Sequence, residues 1–488
     1  MTKATTTQVQ TRPISSYIHI AMTLLLMFGF GLLPAPEPMT ALGMKVIGIF
    51  LGLLYGWTTC GLIWPSLLGM MALALTGAMS IAEILMGGFG NETTLLILFL
   101  LIFAAAVEEA GVSRSIAMWF VTRPAFFGKP WLFTFFFLLA AFILSAATST
   151  MAAIVICWGI LYMIAKTLGY KSGDAYPALM ILGIVYSCTL GLCVLPFKSV
   201  PLGLLGIYQQ MSGEAIAFAS YIAFTLPVCL LSLIVFTLLG KFVFRPDVAL
   251  LKNLSAETFG EEAKIHVDRR QKAVLGFLVG LIVILLIPSL LPKTLWLAKI
   301  LNTIGATGTV ITIAAIMTIV RVDGQSLLPF GKMAAKGIQW EVVILTAMVM
   351  PLAGVLTADA TGIKPFLLKI LAPVFGGHGV VVFSLIVILL SIIVTNLCNN
   401  GVTGVMFITI TYGFAAQMAM STATVAMLII FCVHLALLTP AASPMAAMLH
   451  GNKEWIATAT IYKYGIIAVL VTGVLLMVVG LPLAGLLF

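Results

Sequence analysis

One lysine stands in the middle of a long apolar segment. Lys198 lies in the sequence ProPheLysSerValPro, residues 196–201, more than ten residues from either end of the apolar run 176–209. An ionisable side chain at membrane depth is energetically costly, and it usually marks a site that binds a substrate or moves an ion. Snorkelling to the membrane surface is the alternative, but this position is too far from both ends of the segment. We therefore expect Lys198 to belong to a functional site.

Short oxygen-bearing side chains cluster at four interruptions of the apolar segments. Two lie near the middle of the double-length segments 131–166 and 379–415, and two are bounded by proline, at 196–201 and 439–444. The side chains are Ser145, Thr148, Ser149 and Thr150 in the first double segment, Thr395, Asn396, Asn399, Asn400 and Thr403 in the second, and Ser199, Thr439 and Ser443 at the proline breaks. A broken helix frees backbone groups that lipid cannot satisfy, so such breaks persist where they line a cavity.

These interruptions also predict what the cavity binds. Proline removes a backbone N–H and prevents a helix from closing over the gap. We expect half-helices to restart near Met151, Leu202, Gly401 and Met445. Their free N–H groups and positive dipole ends would point at one centre, which suits an anion. The carbonyls and hydroxyls that end the preceding half-helices suit a small cation such as Na⁺.

The composition places the whole chain in a membrane. Of its 488 residues 62% are apolar and 8% are charged, with a mean hydropathy of +1.19. Soluble domains carry about 25% charged residues, so these values exclude a soluble globule, a disordered chain and a disulfide scaffold. The net charge of +9 then reports membrane topology, and we expect no nucleic-acid partner. The seven cysteines have no metal-ligand spacing, so we expect no cofactor, with Na⁺ as the candidate coupling ion.

Apolar runs long enough to cross the hydrocarbon recur along the chain. About 20 residues make a helical span. The candidate spans are 17–34, 42–58, 60–80, 92–110, 131–166, 176–209, 216–243, 272–291, 296–321, 338–358, 379–415, 422–449 and 456–487. The two double-length segments are interpreted as re-entrant hairpins with polar tips. The pattern predicts an all-α polytopic membrane protein with about 11 transmembrane helices and two helical hairpins in an inverted-topology repeat.

The repeat follows from landmarks that recur about 250 residues apart in the same order. The matched landmarks are Glu92 with Glu341, AlaGlyVal 110–112 with ThrGlyIle 361–363, ThrSerThr 148–150 with CysAsnAsn 398–400, and the proline breaks 196–201 and 440–444. The predicted division is a tail 1–16, an extra helix 17–41, a first repeat 42–243, a linker 244–271 and a second repeat 272–488. The repeats contain the hairpins 131–166 and 379–415 and the broken helices 176–209 and 422–449. Inverted repeats with paired interruptions are typical of secondary transporters whose site lies at the membrane midplane.

Loop charges predict the orientation of the chain. Most lysines and arginines fall in loops on one face if the N-terminus is cytoplasmic and the C-terminus extracytoplasmic. The first apolar run has no small-residue cleavage site and is interpreted as a retained span. Together with the compact loops, this predicts an integral protein of a prokaryotic plasma (inner) membrane.

The spans, re-entrant hairpins, polar tips and Thr/Pro breaks resemble the divalent anion/sodium symporter family, the sodium:dicarboxylate and sodium:sulfate cotransporters. The resemblance runs from about residue 40 to the end and includes GlyPheGlyAsnGlu 88–92, GluGluAlaGlyValSerArg 108–114 and LeuLeuThrProAlaAlaSerProMet 437–445. It implies secondary active transport of small divalent anions, most of all C4 and C5 dicarboxylates. It also implies a homodimer and an elevator-type alternating-access movement.

In that family each hairpin tip reads Ser-Asn-Thr, and the tips and Thr-Pro breaks hold carboxylates and sodium ions. Carried over by motif position, the substrate-binding residues are Ser149, Thr150, Lys198, Ser199, Asn399, Asn400, Thr439, Pro440 and Ser443. The residues that bind a cation, or replace it, are Ser145, Thr148, Lys198, Thr395, Asn396, Cys398 and Thr403. The first tip lacks the family's Asn, and the second has Cys398 and Asn400 where Ser and Thr are expected.

Lys198 is the departure with the largest consequence for coupling. A fixed ammonium near the first cation site would repel Na⁺ by several kcal/mol at short range in a low-dielectric site. Our hypothesis is that Lys198 substitutes for one sodium or pairs with a substrate carboxylate, so that transport becomes Na⁺-independent anion exchange rather than Na⁺ symport.

Two further classes of function remain open at this point. The altered tips also fit a carrier of the same superfamily for another anion, such as sulfate, gluconate, arsenite or a peptide-like acid. An intramembrane enzyme is a remote alternative, since the sequence has no HExxH motif and no Ser/His pair at plausible depth. A channel is also a remote alternative, since a continuous pore needs no lysine beside a polar double break.

Overall fold

The structure is a computed structural model that describes residues 14–488 except 256, 260–266, 293, 378 and 418–419. Within these residues, ten helices are long and apolar enough to span a membrane, and two bent helix pairs bring the number to as many as twelve. The predicted all-α polytopic membrane fold is confirmed. The tail 1–16 and the linker 244–271 lie partly outside the described residues, and the division into repeats stays a prediction.

Long helices follow the predicted apolar runs, with shorter helices between them. The first half contains α1 (Ile14–Leu24), α2 (Ala41–Thr59), α3 (Ile63–Leu75), α4 (Ile81–Gly88), α5 (Glu92–Glu109), α6 (Val112–Val121), α7 (Pro130–Ala147), α8 (Thr150–Leu168), α9 (Ala175–Val194), α10 (Ser199–Ser212) and α11 (Phe218–Leu239). The second half contains α12 (Arg269–Leu290), α13 (Trp296–Ile319), α14 (Phe330–Gly337), α15 (Trp340–Thr357), α16 (Ile363–Phe375), α17 (Val380–Thr395), α18 (Asn400–Gln417), α19 (Thr422–Val433), α20 (Pro444–Gly451), α21 (Thr458–Leu475) and α22 (Leu481–Leu487). A short antiparallel pair of strands, β1 (Arg321–Val322) and β2 (Gln325–Ser326), joins α13 to α14.

Each double-length segment is a pair of helices that meet at a short polar tip. Thr148 and Ser149 separate α7 from α8, and residues 396–399 separate α17 from α18. Thr148 has an extended backbone, and the Ser149 hydroxyl accepts a hydrogen bond from the backbone N–H of Ala152 at 3.4 Å, which caps α8. The helices are thus interrupted where the sequence places hydroxyl side chains, because such side chains satisfy the N–H groups of a new helix start.

The broken helices begin with two segments that are enclosed by protein. Every residue of α9 from Tyr176 to Val194 is buried, and so is every residue of α19 from Thr424 to Val433. α9 packs against α7 and α8, and α19 packs against α17 and α18, so each hairpin packs against one broken helix. A helix that is buried on all sides can be apolar on all faces, as these two are.

Short helices lie where the apolar-length rule predicts only connections. α4, α6, α14 and α16 have 8, 10, 8 and 13 residues, which is too few to span the hydrocarbon. α6 and α16 each begin after a glycine in the left-handed conformation, Gly111 with φ 72° and Gly362 with φ 63°. These glycines belong to the AlaGlyVal and ThrGlyIle landmarks, so the two halves share this local geometry.

α13 contains a break that the sequence analysis missed. Gly305 has φ 70° and ψ 177° inside the helix. A Cβ at this position would lie 3.0 Å from Glu92 Oε1, and the Thr307 hydroxyl donates to the carbonyl of Glu92 at 3.1 Å. Glycine alone adopts a positive φ without steric cost, so the break depends on Gly305.

Replacing Gly305 with alanine is expected to lower the free energy of unfolding by about 1–2 kcal/mol, because alanine is strained at this φ and its Cβ meets Glu92. Gly276→Ala in α12 is the control, because an added Cβ there meets no atom within 4 Å. Thermal unfolding of both variants in one detergent measures the difference. Equal midpoints would show that Gly305 does not maintain the break.

Candidate functional site

A cavity of about 420 Å³ lies between α5, α10, α15 and the two hairpin tips. The predicted site residues that line it are Thr148, Ser149, Thr150, Lys198, Ser199, Asn399 and Asn400. The structure therefore brings the two tips and the first proline break together. The second proline break reaches the cavity through Pro444 and Met445.

Within the described residues, the four helices that follow the hairpin tips and proline breaks begin at this cavity. The first two residues of each line it: Thr150 and Met151 of α8, Ser199 and Val200 of α10, Asn400 and Gly401 of α18, and Pro444 and Met445 of α20. The positive dipole ends of these helices create a field that favours an anion.

The four helix starts precede the predicted ones by one to three residues. The largest difference is in α10, which begins at Ser199 instead of Leu202. Pro201 does not delay the helix, because the N–H that proline lacks has no intrahelical partner in the first turn. The same reasoning applies to α20, where Pro444 is the first helical residue.

Lys198 stands immediately before α10, and its ammonium reaches the first hairpin tip. Its Nζ donates a hydrogen bond to the carbonyl oxygen of Thr148. The side chain is partly buried and lines the cavity. Among the described residues, no carboxylate forms an ion pair with this ammonium. Its positive charge is therefore available to a bound anion, which would supply the missing counter-ion.

Asn399 and Asn400 combine a capping role with exposure to the cavity. Asn399 Oδ1 accepts from the N–H of Gly401 at 3.0 Å and of Val402 at 3.4 Å, and Asn400 Oδ1 lies 2.9 Å from the N–H of Gly401. The side-chain oxygens thus hold the start of α18. An amide side chain also carries two N–H donors, which can donate to a carboxylate in the cavity.

Asn396, only three residues earlier, has a different role. The residue is 5% exposed, and its Nδ2 donates to the carbonyls of Ile392 at 2.8 Å and Leu435 at 3.1 Å. Its Oδ1 accepts from the N–H groups of Leu437 at 3.0 Å and Leu438 at 2.8 Å. The side chain therefore satisfies the backbone freed between α19 and α20 rather than facing the cavity.

Eight predicted site residues lie in the described part of the chain but outside the cavity lining. They are Ser145, Thr395, Asn396, Cys398 and Thr403 of the predicted cation set, and Thr439, Pro440 and Ser443 of the predicted substrate set. The hydroxyls among them donate to backbone carbonyls: Ser145 to Cys188 at 2.6 Å, Thr395 to Val433 at 3.1 Å, Thr403 to Asn399 at 3.0 Å, Thr439 to Asn396 at 2.6 Å and Ser443 to Ala436 at 2.7 Å. Hydroxyls at membrane depth need acceptors, and nearby backbone carbonyls supply them here.

Two helix faces that the sequence analysis did not single out form the cavity walls. α5 contributes Ile97, Leu100, Leu101, Ala104, Ala105 and Glu108, and α15 contributes Glu341, Val342, Leu345, Thr346, Val349 and Met350. Both sets recur at helical spacing. That spacing alone could not identify them, because an apolar stripe of this kind is also typical of ordinary helix packing.

Comparison with known proteins relates the chain to transporters. A family model described as citrate transporter matches residues 53–424. This range includes both hairpins and the first broken helix. No curated protein matches the chain by sequence.

Two solved transporters share the fold. The YdaH transporter of Alcanivorax borkumensis has a TM-score of 0.59 at 13% sequence identity, with 96% of this chain and 98% of that chain covered. MtrF of Neisseria gonorrhoeae, reported with a class of antimetabolite efflux pumps, has a TM-score of 0.56 at 13% identity, with 96% of each chain covered. At this identity the likeness is one of fold.

Proposed function

Because this chain belongs to the citrate transporter family, and is therefore a secondary membrane transporter and not an enzyme, we propose that it carries small anions with two or more carboxylates. We place C4 and C5 dicarboxylates first and citrate, the anion in the family's description, second. The observation that carries the proposal is the meeting of Lys198 with four helix starts at one cavity. The expected relation to anion carriers is confirmed at the level of the family.

The proposed pose uses the two hairpin tips as separate carboxylate holders. One carboxylate pairs with Lys198 beside Ser149 and Thr150, and the other accepts hydrogen bonds from the amides of Asn399 and Asn400. A single lysine can support two negative charges here because each helix N-terminus adds roughly half a positive charge. Charge-assisted hydrogen bonds of this kind are about twice as strong as neutral ones.

We further propose that transport is exchange without Na⁺. Of the hydroxyls predicted to bind a cation, only that of Thr148 belongs to a residue lining the cavity, and it donates to the carbonyl of Leu144. The other hydroxyls and the Asn396 amide are hydrogen-bonded to backbone groups and lie outside the cavity lining. Lys198 places an ammonium beside the first tip, where a sodium ion is expected from the resemblance. Both features support a carrier in which the ammonium takes the place of a coupling cation.

The elevator movement, the homodimer and the plasma-membrane orientation belong to the same proposal. Lipid is the solvent for this chain, because integral membrane insertion follows from its apolar helices and its family.

Each hairpin packs on its own broken helix, so the two can move as one unit while α5 stays in place. Cysteine pairs placed across α5 and a hairpin tip would test this movement by cross-linking in the membrane.

Counterflow in proteoliposomes tests the proposal. Vesicles loaded with unlabelled succinate are expected to take up labelled succinate or 2-oxoglutarate, with citrate and sulfate as competitors. We expect the same initial rate, within about twofold, when external Na⁺ is replaced by choline, because the fixed ammonium needs no sodium partner. Uptake that requires Na⁺ would contradict the exchange mechanism, and no uptake of any carboxylate would contradict the proposed cargo.

The apolar walls favour a second candidate cargo. The faces of α5 and α15 contribute mostly aliphatic side chains to the cavity, and these can pack against the body of an amphipathic acid. A peptide-like acid therefore belongs among the competitors, together with gluconate and arsenite. Stronger competition by a peptide-like acid than by succinate would make it the preferred cargo.

A further inference from the structure

One carboxylate near the cavity is shared by two lysines. Glu109, the last residue of α5, forms ion pairs of 2.7 Å with Lys332 and of 2.7 Å with Lys336, both on α14. The hydrogen bond to Glu109 also raises the pKa of Lys336, so its ammonium stays charged at neutral pH. Two positive charges thus face Glu109, and the preceding residue, Glu108, also attracts the Lys336 ammonium.

The two lysines differ in their position relative to the cavity. Lys336 lines the cavity, whereas Lys332 and Glu109, which are also described residues, do not. Both lysine side chains are largely solvent-exposed, at 56% for Lys336 and 63% for Lys332. The next residue, Gly337, packs so closely on α5 that a Cβ would lie 2.4 Å from Ala105 Cβ, which fixes the end of α14 against the cavity wall.

Lys336 belongs to what we call the outer end of the cavity, lined by Glu108, Lys336, Gln339 and Glu341. These residues lie where α5 ends and where α15 begins. Two carboxylates, Glu108 and Glu341, would repel an entering anion. Lys336 offsets that repulsion, and Gln339 adds neutral donors beside it.

We propose that Lys336 and Gln339 form an outer carboxylate site, at which the anion docks before it reaches Lys198. The proposal rests on the function proposed above. The docking carboxylate takes over Lys336, while Lys332 keeps Glu109 neutralised. Exchange of one carboxylate for another at Lys336 conserves the number of ion pairs, so the energetic cost of entry is small. The outer site then determines how readily the substrate is captured from solution, whereas Lys198 determines how tightly the substrate binds at the tips.

A matched pair of variants tests the outer site. Lys336→Gln and Lys332→Gln each remove one 2.7 Å ion pair to the same carboxylate, and only the first removes a cavity-lining charge. We expect Lys336→Gln to raise the half-saturating succinate concentration about three- to tenfold, with a weaker dependence on ionic strength, as for a removed steering charge. We expect Lys332→Gln to raise it less, by about two- to threefold, because Glu109 then competes with the substrate for Lys336. We expect Lys336→Arg to restore most of the loss.

The readouts distinguish three outcomes. The thermal midpoints of the two glutamine variants are expected to agree, because each loses an equivalent exposed ion pair. Equal transport kinetics in both glutamine variants, whether normal or impaired, would overturn the outer site, since the lysines would then act only through Glu109. If the wild type neither transports nor binds any of the carboxylates, the proposed function itself is wrong, and the outer site is wrong with it.

Discussion

Lys198→Gln is expected to reduce carboxylate exchange about 100-fold while the protein remains folded. The ammonium is the charged donor nearest the first hairpin tip, and loss of one partner of a partly buried charge pair costs about 2–5 kcal/mol of binding. Glutamine retains a donor for the Thr148 carbonyl, so the tip itself should persist. Initial counterflow rates over a range of succinate concentrations measure the effect.

The control for this prediction is Lys463→Gln in α21, a lysine that is exposed and lies outside the cavity lining. We expect its exchange rate to match the wild type. A third variant, Lys198→Ser, places a small polar residue beside the tip, and we expect its residual exchange to become stimulated by Na⁺. Wild-type rates in Lys198→Gln would refute the assignment of Lys198 to the anion site.

We expect Asn396→Ala to lower mainly the stability of the protein, and Asn399→Ala to lower mainly its exchange rate. Removing the Asn396 amide leaves the N–H groups of Leu437 and Leu438 without their acceptor in a buried site, at about 1–3 kcal/mol each. We expect the thermal midpoint to fall by about 2–6 °C. Asn399→Ala removes a cap worth about 1 kcal/mol and a donor in the cavity, so its midpoint should fall less and its exchange rate more.

Asn399→Ser is the matched control, since serine keeps an N-cap oxygen but loses the amide N–H groups. Its midpoint is expected to equal that of the wild type, and its exchange rate to stay low. Thermal unfolding followed by tryptophan fluorescence, with counterflow on the same preparations, gives both readouts. A larger loss of stability in Asn399→Ala than in Asn396→Ala would reverse the roles assigned to the two amides.

The breaks in the apolar segments could be predicted because each is a local property. A proline or a group of hydroxyl and amide side chains interrupts an apolar helix whatever surrounds it, and the helices do stop at 148–149, 195–198, 396–399 and 434–443. Local rules were less reliable for short helices. α6, α14 and α16 carry lysine or arginine and are too short to span lipid, so apolar length alone assigned them to connections.

The role of each polar group within a break could not be predicted in the same way. Asn396 and Asn399 are the same residue type at one tip, yet one binds backbone between α19 and α20 and the other lines the cavity. Which way each points depends on where α19 lies relative to α17, a contact between segments distant in the chain. The hydroxyls of Ser145, Thr395 and Ser443 are satisfied by backbone for the same reason.

The amino-acid sequence by itself determined that this chain crosses a membrane many times, that its helices break at four places, and that a lysine stands at one of them. Apolar length, proline and polar clusters act within a few residues of their own position, so they can be interpreted without the fold. The tertiary structure decided that the four helix starts meet, which hydroxyls and amides face the cavity, and that Lys336 and Glu108 join them. Those facts depend on how α5, α10, α14 and α15 pack around the cavity and on how α19 packs against α17, which are contacts between segments distant in the chain.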